Sequence, residues 1–306
     1  MKLRSLGETG LIRRIARKIR TGPGVIKGIG DDCAVLKGNG NKVQLFASDM
    51  LLEGVHFTRT APAEAIGWKA LAVNVSDLAA MGGGTLPRQA VVSLGLPAST
   101  PVSFVDGLYR GLRRCAKTYG VDLVGGDMTR APVVVVDVAI LGAARKREVV
   151  YRSGARAGDL LLVTGRLGGS LRSGRHLRFR PRLREAQRLT AHAKIGAMMD
   201  LSDGLGPDLM KLCEASGVSA VLEADRIPRN AGCSLEQALN DGEDFELLLA
   251  VAPAQAGRLL RSIGKDFRCG LRRIGRIVPR NGRPAVKLLL PAGMAAPRKL
   301  FGFQHF

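Results

Sequence analysis

The sequence predicts an α/β (α+β) protein of two domains, residues 1–148 and 149–306. At 306 residues the chain is long for a single hydrophobic core, since domains of about 150 residues are the usual size. Apolar runs typical of strands alternate with helical periodicity along the whole chain. The basic segment 145–158 separates two halves that each contain strands followed by helices, and it supplies the predicted boundary.

The individual elements follow from the spacing of apolar residues. Short apolar runs predict strands at residues 25–29, 43–47, 90–96, 121–124, 133–141, 160–163, 219–223, 245–251 and 271–277. Steps of three and four predict helices at residues 65–81, 101–119, 205–216 and 255–263. Gly217 should end the third helix, because glycine adopts the left-handed conformation common at helix C-termini. Leu11, Ile12, Ile15 and Ile19 mark the apolar face of a further, N-terminal helix.

The composition excludes several classes of protein. The five cysteines are scattered without C-x-x-C spacing, so they indicate neither a zinc site nor a disulfide framework. The four histidines contain no H-x-x-x-H pair, which excludes a histidine-rich metal site. No run approaches about 18 consecutive apolar residues and no signal-peptide segment is visible, so we expect a cytoplasmic protein without a membrane span.

The charge balance is strongly basic. The net charge of +21 arises from 47 Lys and Arg against 26 Asp and Glu, and it attracts polyanions of any kind. Seven arginines in residues 172–188 form the densest basic run, which lacks RRM and zinc-finger signatures and offers only Phe179 for stacking. We therefore interpret this run as a solvated basic face, and nucleic-acid binding stays the less favoured alternative.

One aspartate stands out on physical grounds. The helix at 65–81 carries an apolar stripe at Ile66, Ala70, Val73 and Ala80, and Asp77 lies on that same stripe. An unpaired carboxylate there would cost several kcal/mol. Asp77 should therefore meet a cation or sit at the mouth of a cleft; the alternative is a bond to nearby backbone or to an arginine.

Other aspartates share a different pattern, in which an apolar strand ends in an acid. These are Asp31, Asp32, Asp49, Asp127, Asp200 and Asp203. Acids at strand ends can converge on one crevice of an α/β sheet. Asp31 and Asp32 are adjacent, so only one of them can join a cluster, and Asp203 by itself suggests a helix N-cap. Several carboxylates without neighbouring His or Cys suit Mg²⁺ rather than zinc, and magnesium suits phosphates.

The usual nucleotide motifs are missing. The sequence has no G-x-x-x-x-G-K-[ST], no G-x-G-x-x-G after the early strand and no H-R-D. Nucleotide chemistry would therefore need a less common scaffold.

A set of sequence motifs indicates such a scaffold. GIGDDCAVL, ASDMLLEGVHF, KALAVNVSDLAAMGG, LVGGDMTR, MMDLSDGLGPDL, GEDFELLL and the terminal GFQHF together resemble the thiamine-monophosphate kinase family, within the aminoimidazole ribonucleotide synthetase-like superfamily. The resemblance implies a two-domain fold whose N-terminal domains pair across a homodimer in a β-barrel. It also implies ATP as co-substrate and several Mg²⁺ ions in a cleft beside that interface.

The resemblance assigns roles residue by residue. The implied metal ligands are Asp32, Ser48, Asp49, Asp77, Asp127, Asp200 and Asp203. The implied ATP contacts are Gly126, Asp127, Arg152 and Ser202, and the implied contacts to thiamine monophosphate are His56, Glu243 and Phe303. Two positions depart from the family pattern, because Ala47 and Met128 stand where hydroxyl side chains are common.

The implied reaction transfers the γ-phosphoryl group of ATP to thiamine monophosphate. The acceptor phosphate has a second pKa of about 6, so it is largely ionised at neutral pH and needs no general base. Metal ions and cationic side chains must instead neutralise and align two polyanions, without a phospho-enzyme. Phe303 could stack on the cationic thiazolium ring. The alternatives are an aminoimidazole ribonucleotide or selenophosphate synthetase of the same superfamily, and the nucleic-acid-binding protein named above.

Overall fold

A computed structural model describes residues 3–262 and 267–292 of the chain. The first half is built on one six-stranded sheet with two long helices against it. Its elements are α1 (Leu3–Ala16), β1 (Val25–Lys27), β2 (Ala34–Lys37), β3 (Lys42–Leu52), α2 (Ala63–Ala80), β4 (Leu86–Leu96), α3 (Val102–Tyr119), β5 (Asp122–Arg130) and β6 (Val135–Arg145). The strand order is β1-β2-β3-β6-β4-β5, with β4 and β5 parallel and the other pairs antiparallel.

The second half carries its own six-stranded sheet. Its elements are β7 (Leu160–Thr164), α4 (Leu183–His192), β8 (Ala197–Asp200), α5 (Leu205–Ser216), β9 (Ser219–Glu223), α6 (Leu235–Asn240), β10 (Leu247–Val251), α7 (Pro253–Ser262), β11 (Leu271–Val278) and β12 (Val286–Leu289). The order is β12-β9-β11-β7-β10-β8, and only the β12–β9 pair is parallel among the described strands. The predicted mixed α/β class with two sheets is confirmed.

Helix α2 is the central element of the molecule. It contacts β3 and β6 of the first sheet, α3 beside it, and β8 and α4 of the second half. Its close approach to α3 depends on two glycines: a Cβ at Gly67 would lie 1.9 Å from the Leu108 carbonyl oxygen, and one at Gly111 would lie 1.9 Å from that of Glu64. Because the two backbones touch, neither position has room for a side chain without moving α2 away from α3.

The two faces of the first sheet differ in their partners. Along β3, Val43, Leu45 and Leu51 are buried, whereas Phe46 and Met50 on the opposite face are exposed. Further exposed apolar side chains on other strands of this sheet are Val91, Val124, Met128 and Leu141. The sheet therefore has one face packed on its own core and an outer face with apolar residues open to solvent.

Most predicted elements are observed, and some are extended by several residues. The strand at 219–223 and the helix at 205–216 coincide with β9 and α5, and Gly217 ends α5 in the left-handed region at φ 68°. Four helices and strands were not predicted, namely β2, β12, α4 and α6, whereas β8 is the apolar strand that was expected to end at Asp200. Residue 263, the last of the predicted helix at 255–263, lies outside the described residues.

The N-terminal helix forms, but its predicted apolar face is not buried. Ile12 and Ile15 are exposed on α1, and Ile19 lies beyond the end of the helix. Residues 146–159, between the two sheets, contain the predicted domain boundary, which stays a prediction. Within the described residues, no helix has the length and apolar character needed to span a membrane.

Candidate active site

A cleft of about 1090 Å³ lies between the two halves of the molecule. The first half lines it with α1, the loop between β1 and β2, β3 and one face of α2. The second half contributes the segment after β8, the face of α5 and residues 241–245 before β10. Of the residues assigned by the resemblance, Asp32, Ser48, Asp49, His56, Asp77, Arg152, Asp200, Ser202, Asp203 and Glu243 line it.

Three carboxylates from distant parts of the chain meet in this cleft. Asp32 lies in the loop between β1 and β2, Asp77 on α2, and Asp200 at the last position of β8. One oxygen of each lies within 4.8 Å of the others. The Oδ2 atom of Asp32 is buried and accepts no hydrogen bond within the described residues. Sequence reasoning expected only one of Asp31 and Asp32 to join a cluster, and Asp32 is the one that does.

The charged forms of these buried carboxylates are unfavourable when no cation is bound. Burial raises the pKa of Asp77 and of Asp200 well above the usual value, and the charges of neighbouring aspartates raise both further. Burial also raises the pKa of Asp49, and the charges of Asp137 and Asp32 raise it further. Such an array is favourable when a cation shares it, and an all-oxygen donor set with an unpartnered buried carboxylate oxygen fits Mg²⁺.

Two polar contacts hold the cluster in place. Ser76 Oγ donates to Asp200 Oδ2 at 2.6 Å, which connects α2 to the end of β8. Arg152 donates from Nε and Nη2 to Asp32 Oδ1 at 3.1 and 2.6 Å. Asp31 turns away from the cluster, and its Oδ1 accepts the backbone N–H of Arg152 at 3.1 Å.

A second group of residues lies at another part of the cleft. His56 follows β3, and its Nδ1 accepts the backbone N–H of Leu52 at 2.9 Å, so Nε2 carries the ring proton. Glu243 comes from the second half and takes a left-handed backbone conformation at φ 57°. Lys69 of α2 donates to Glu243 Oε2 and to the His56 carbonyl oxygen, the latter at 2.8 Å. The structure thus brings His56 and Glu243 together around Lys69, and their contact with the acceptor stays a prediction.

Asp203 differs from the N-cap that its sequence context suggested. The N-cap of α5 is Gly204, and Asp208 Oδ2 accepts the backbone N–H groups of Asp203 and Gly204 at 2.9 and 3.2 Å. Asp203 instead pairs through Oδ2 with Lys211 at 2.5 Å. The N-cap prediction is therefore wrong, because α5 begins one residue later and the Asp203 carboxylate is held by Lys211.

Three assigned residues lie apart from the aspartate cluster. Ser48 lies next to Asp49 in β3 but on the outer face, where its Oγ donates to Asp137 Oδ1 at 3.2 Å. Gly126 and Asp127 lie on the edge strand β5 and do not belong to the described cleft lining. The register pairs Asp127 with Ser93, which pairs with Asp137. Phe303 lies outside the described residues.

The strand-end pattern proves wrong for two acids. Asp49 is followed by three more residues of β3, and β5 continues to Arg130 beyond Asp127. The pattern holds for Asp200, while Asp32 lies in a loop. Of the two departures from the family pattern, the Ala47 side chain is buried in the core, whereas Met128 is exposed on the edge strand β5.

The basic run is only partly a solvated face. Arg175 pairs with Asp244, and Arg182 donates two hydrogen bonds to Glu246 at 2.5 and 2.6 Å. Phe179 is buried and stacks on Phe245 with ring centroids 4.0 Å apart. The remaining arginines of the run are exposed: Arg172, Arg178, Arg180, Arg184 and Arg188. The interpretation as a solvated face is therefore wrong for Arg175 and Arg182, which stabilise the second half.

Sequence reasoning missed several functional candidates, above all Lys69. Its spacing could have identified it, since Lys69, Val73 and Asp77 are four residues apart and share one face of α2. Lys211 was missed in the same way, although it lies three residues after Asp208 on α5.

Comparison with known proteins agrees with the fold. The family model "AIR synthase related protein, N-terminal domain" matches residues 30–144, and the corresponding C-terminal domain matches residues 156–287. The chain is therefore an AIR synthase related protein of two such domains. Escherichia coli HypE, 21% identical with a TM-score of 0.70 over 96% of this chain and 97% of its own, shows the same fold.

More similar relatives narrow the family. A thiamine-monophosphate kinase of Synechococcus elongatus is 35% identical and covers 90% of this chain and 91% of its own. One of Aquifex aeolicus is 36% identical over 81% of this chain and 87% of its own. The structure of AaThiL complexed with AMPPCP and TMP has a TM-score of 0.84 and 32% identity over 100% of this chain and 99% of its own. The chain belongs to the thiamine-monophosphate kinase family.

Proposed function

We propose that this chain transfers the γ-phosphoryl group of ATP to the phosphate of thiamine monophosphate, giving thiamine diphosphate and ADP. The observation that carries the proposal is the meeting of Asp32, Asp77 and Asp200 in a cleft that also holds His56 and Glu243. The relatives named above are thiamine-monophosphate kinases, and one is complexed with AMPPCP and TMP.

Asp32, Asp77 and Asp200 would hold Mg²⁺, with Asp49 and Asp203 close by in the same cleft. Bound magnesium supplies neutralisation of the phosphate oxygens and keeps the two polyanions in line. Arg152 adds a fixed cation beside Asp32, and Ser202 offers a hydroxyl from the second half; both are our candidates for ATP contacts. No side chain needs to remove a proton from the acceptor, because its phosphate is already largely ionised at neutral pH.

The acceptor would lie against His56 and Glu243. The Nε2–H of His56 is a hydrogen-bond donor, and the Glu243 carboxylate is an acceptor and a source of negative charge for a cationic ring. Phe303 stays a predicted stacking partner. These two polar residues come from different halves of the chain, so acceptor binding depends on how the halves are joined.

We further propose a homodimer in which the first sheets of two copies pair. The exposed apolar face of this sheet, with Phe46 and Met50, supports it. The edge strand β5 also has one side without a strand partner in the described chain. Gly126 and Asp127 lie on β5 and are not in the described lining of the chain's own cleft, so in such a dimer they would serve the cleft of the second copy. A cytoplasmic location also stays a prediction.

The decisive experiment measures product formation by purified protein with ATP, Mg²⁺ and thiamine monophosphate. We expect ADP and thiamine diphosphate in equal amounts, with no product when Mg²⁺ is chelated. Turnover of another ribose- or amine-containing substrate, with none of thiamine monophosphate, would favour a superfamily synthetase. Salt-sensitive binding of nucleic acid without ATP turnover would favour the nucleic-acid alternative.

A further inference from the structure

Lys69 is a charged side chain without any exposed surface. It lies on α2 between Trp68 and Ala70, which are also buried. Lysine is almost never fully buried unless it is paired, because removing an ammonium group from water is costly. The charge of Lys69 acts on nearby Asp49, but within the described residues Lys69 makes no hydrogen bond or ion pair with Asp32, Asp77 or Asp200. The chemistry proposed above does not use it either, so its position needs a reason of its own.

The contacts of Lys69 join the two halves of the molecule. Nζ donates to the carbonyl oxygen of His56 at 2.8 Å and to Oε2 of Glu243. His56 belongs to the turn after β3, whereas Glu243 lies 174 residues further along the chain than Lys69. One ammonium group therefore contacts both polar residues proposed to bind the acceptor.

The pair also determines which oxygen of Glu243 is available. Oε2 accepts a hydrogen bond from Lys69. Oε1 accepts no hydrogen bond within the described chain, and it is not a buried atom left without a partner. Since Glu243 lines the cleft, Oε1 is the oxygen left for a ligand. The left-handed backbone of Glu243 is unfavourable for a side chain with a Cβ, so it needs support from the surrounding contacts. Its backbone N–H donates to the Ser202 carbonyl oxygen at 2.7 Å, and Lys69 holds its side chain.

We propose that Lys69 is a positioning residue that fixes His56 and Glu243 relative to each other across the cleft. This inference rests on the proposed function for the identity of the acceptor. Lys69 compensates the Glu243 carboxylate, which is otherwise poorly solvated, and so keeps it at the cleft wall in one orientation. It acts on the acceptor through His56 and Glu243, and the aspartate cluster is built without it.

The test is Lys69→Met, which keeps the length and apolar bulk of the side chain and removes its charge. We expect the KM for thiamine monophosphate to rise about tenfold or more, because small displacements of positioning groups are costly. The KM for ATP should change less than about twofold, since the aspartate cluster keeps its partners. In the ligand-free protein, hydrogen exchange at the amides of His56 and Glu243 should become faster.

Asn74→Leu is the matched control. Asn74 is also fully buried on α2, and its Nδ2 donates to the Ala70 carbonyl oxygen within the same helix. It does not belong to the described cleft lining. This variant should leave the two amides at wild-type exchange rates even if α2 becomes less stable. Equal acceleration in both variants would show a general loosening of α2 and would overturn the proposal.

A lone Glu243 carboxylate left in this place can prevent folding, so a second variant removes both charges. Lys69→Met combined with Glu243→Gln leaves no uncompensated buried charge. The His56 amide should still exchange faster than in the Asn74→Leu control; wild-type exchange there would overturn the proposal. A wild-type protein that does not phosphorylate thiamine monophosphate would refute the proposed function alone, because the exchange measurement needs no substrate.

Discussion

Arg152 donates two hydrogen bonds to one oxygen of Asp32, so the other oxygen, Oδ2, is left unpartnered within the described chain. Arg152 follows the first sheet in sequence and Asp32 precedes β2, so the ion pair crosses between distant segments beside the cleft. The same guanidinium partly compensates a carboxylate cluster that would otherwise repel itself. The site therefore combines the fixed positive charge of Arg152 with carboxylates that favour binding of a metal cation.

Neutralising one acid of the cluster should lower activity without lowering the stability of the metal-free protein. Asp77→Asn removes a buried carboxylate whose pKa is raised by burial and by Asp49, Asp200 and Asp32. We expect the variant to be at least as stable as wild type in EDTA, with a Tm higher by roughly 2–4 °C for each kcal/mol gained. Addition of Mg²⁺ should stabilise it less than wild type, and kcat should fall by at least about a hundredfold.

Thermal unfolding with and without Mg²⁺ measures this effect. Asp106→Asn, an exposed acid on α3, is the control and should behave as wild type. A Mg²⁺-dependent rise in Tm as large in Asp77→Asn as in wild type would contradict a metal-ligand role for Asp77.

Asp127→Asn should lose most of kcat while the protein stays folded. Asp127 lies on β5, outside the described lining of its own cleft, so we expect it to serve the cleft of a second copy. Mixing Asp127→Asn with Asp77→Asn subunits should then restore about one quarter of wild-type activity, since half of the dimers are mixed and each has one intact site.

Asp122→Asn changes an exposed acid of the same strand and should keep full activity. Full activity of Asp127→Asn would refute its predicted role. Loss of activity without recovery on subunit exchange would place the role of Asp127 within its own chain.

The buried histidine of the second half should make stability fall in mild acid. His176 Nδ1 lies 3.0 Å from the Ser170 carbonyl oxygen, and burial lowers the pKa of His176 below 6.5, with the charge of Lys69 lowering it further. The unfolded chain therefore binds this proton at a higher pH than the folded protein. The stability that neutral His176 contributes is complete above about pH 6.5 and is lost as pH falls toward the lowered value.

Urea unfolding between pH 7.5 and pH 5 checks this slope. His176→Gln should show a smaller decrease in the free energy of unfolding over this range than wild type does. His192→Gln, at an exposed position on α4, should keep the wild-type slope. An identical slope in all three proteins would mean that His176 does not contribute.

The helix crossing that positions α2 should not tolerate a methyl group. Gly67→Ala would place Cβ 1.9 Å from the Leu108 carbonyl oxygen, so the helices must separate. We expect a loss of about 2–4 kcal/mol in the free energy of unfolding, comparable with other overpacked cores. Gly257→Ala on α7 meets only the flexible end of Arg261 and should be neutral or slightly stabilising. Similar stability of both variants would contradict the observed packing.

Phe303→Ala should weaken binding of thiamine monophosphate more than binding of ATP. The expected loss is up to about 2 kcal/mol if the ring stacks on a desolvated thiazolium cation. Calorimetric titration with each ligand measures the difference. Equal effects on both ligands would count against stacking.

Several features of the fold could be predicted because they depend on local sequence. The ends of α5 follow from apolar periodicity and from Gly217, and β9 follows from a short apolar run. β12 was missed because a strand of four residues has too few positions to show a period. α4 was missed inside the arginine-rich run, where charge obscures its apolar positions Leu183, Ala186 and Leu189.

The candidate site, too, could be predicted only in part from the sequence. Asp77 could be singled out by itself, since an acid on an apolar helix stripe is costly wherever the helix packs. The family could be identified from motifs in the sequence, and most of the residues that it assigned line the cleft. The strand-end argument was wrong for Asp49 and Asp127, because both strands continue beyond these residues.

The sequence by itself thus determined the two-part α/β class, the family and the acidic, oxygen-rich character of the site. Only the tertiary structure decided that Asp32 rather than Asp31 joins Asp77 and Asp200, and that Ser48 faces away from Asp49. It also decided that Lys69 joins His56 to Glu243. These contacts connect residues from distant segments of the chain, and burial and charge pairing select them only once the two sheets pack on α2.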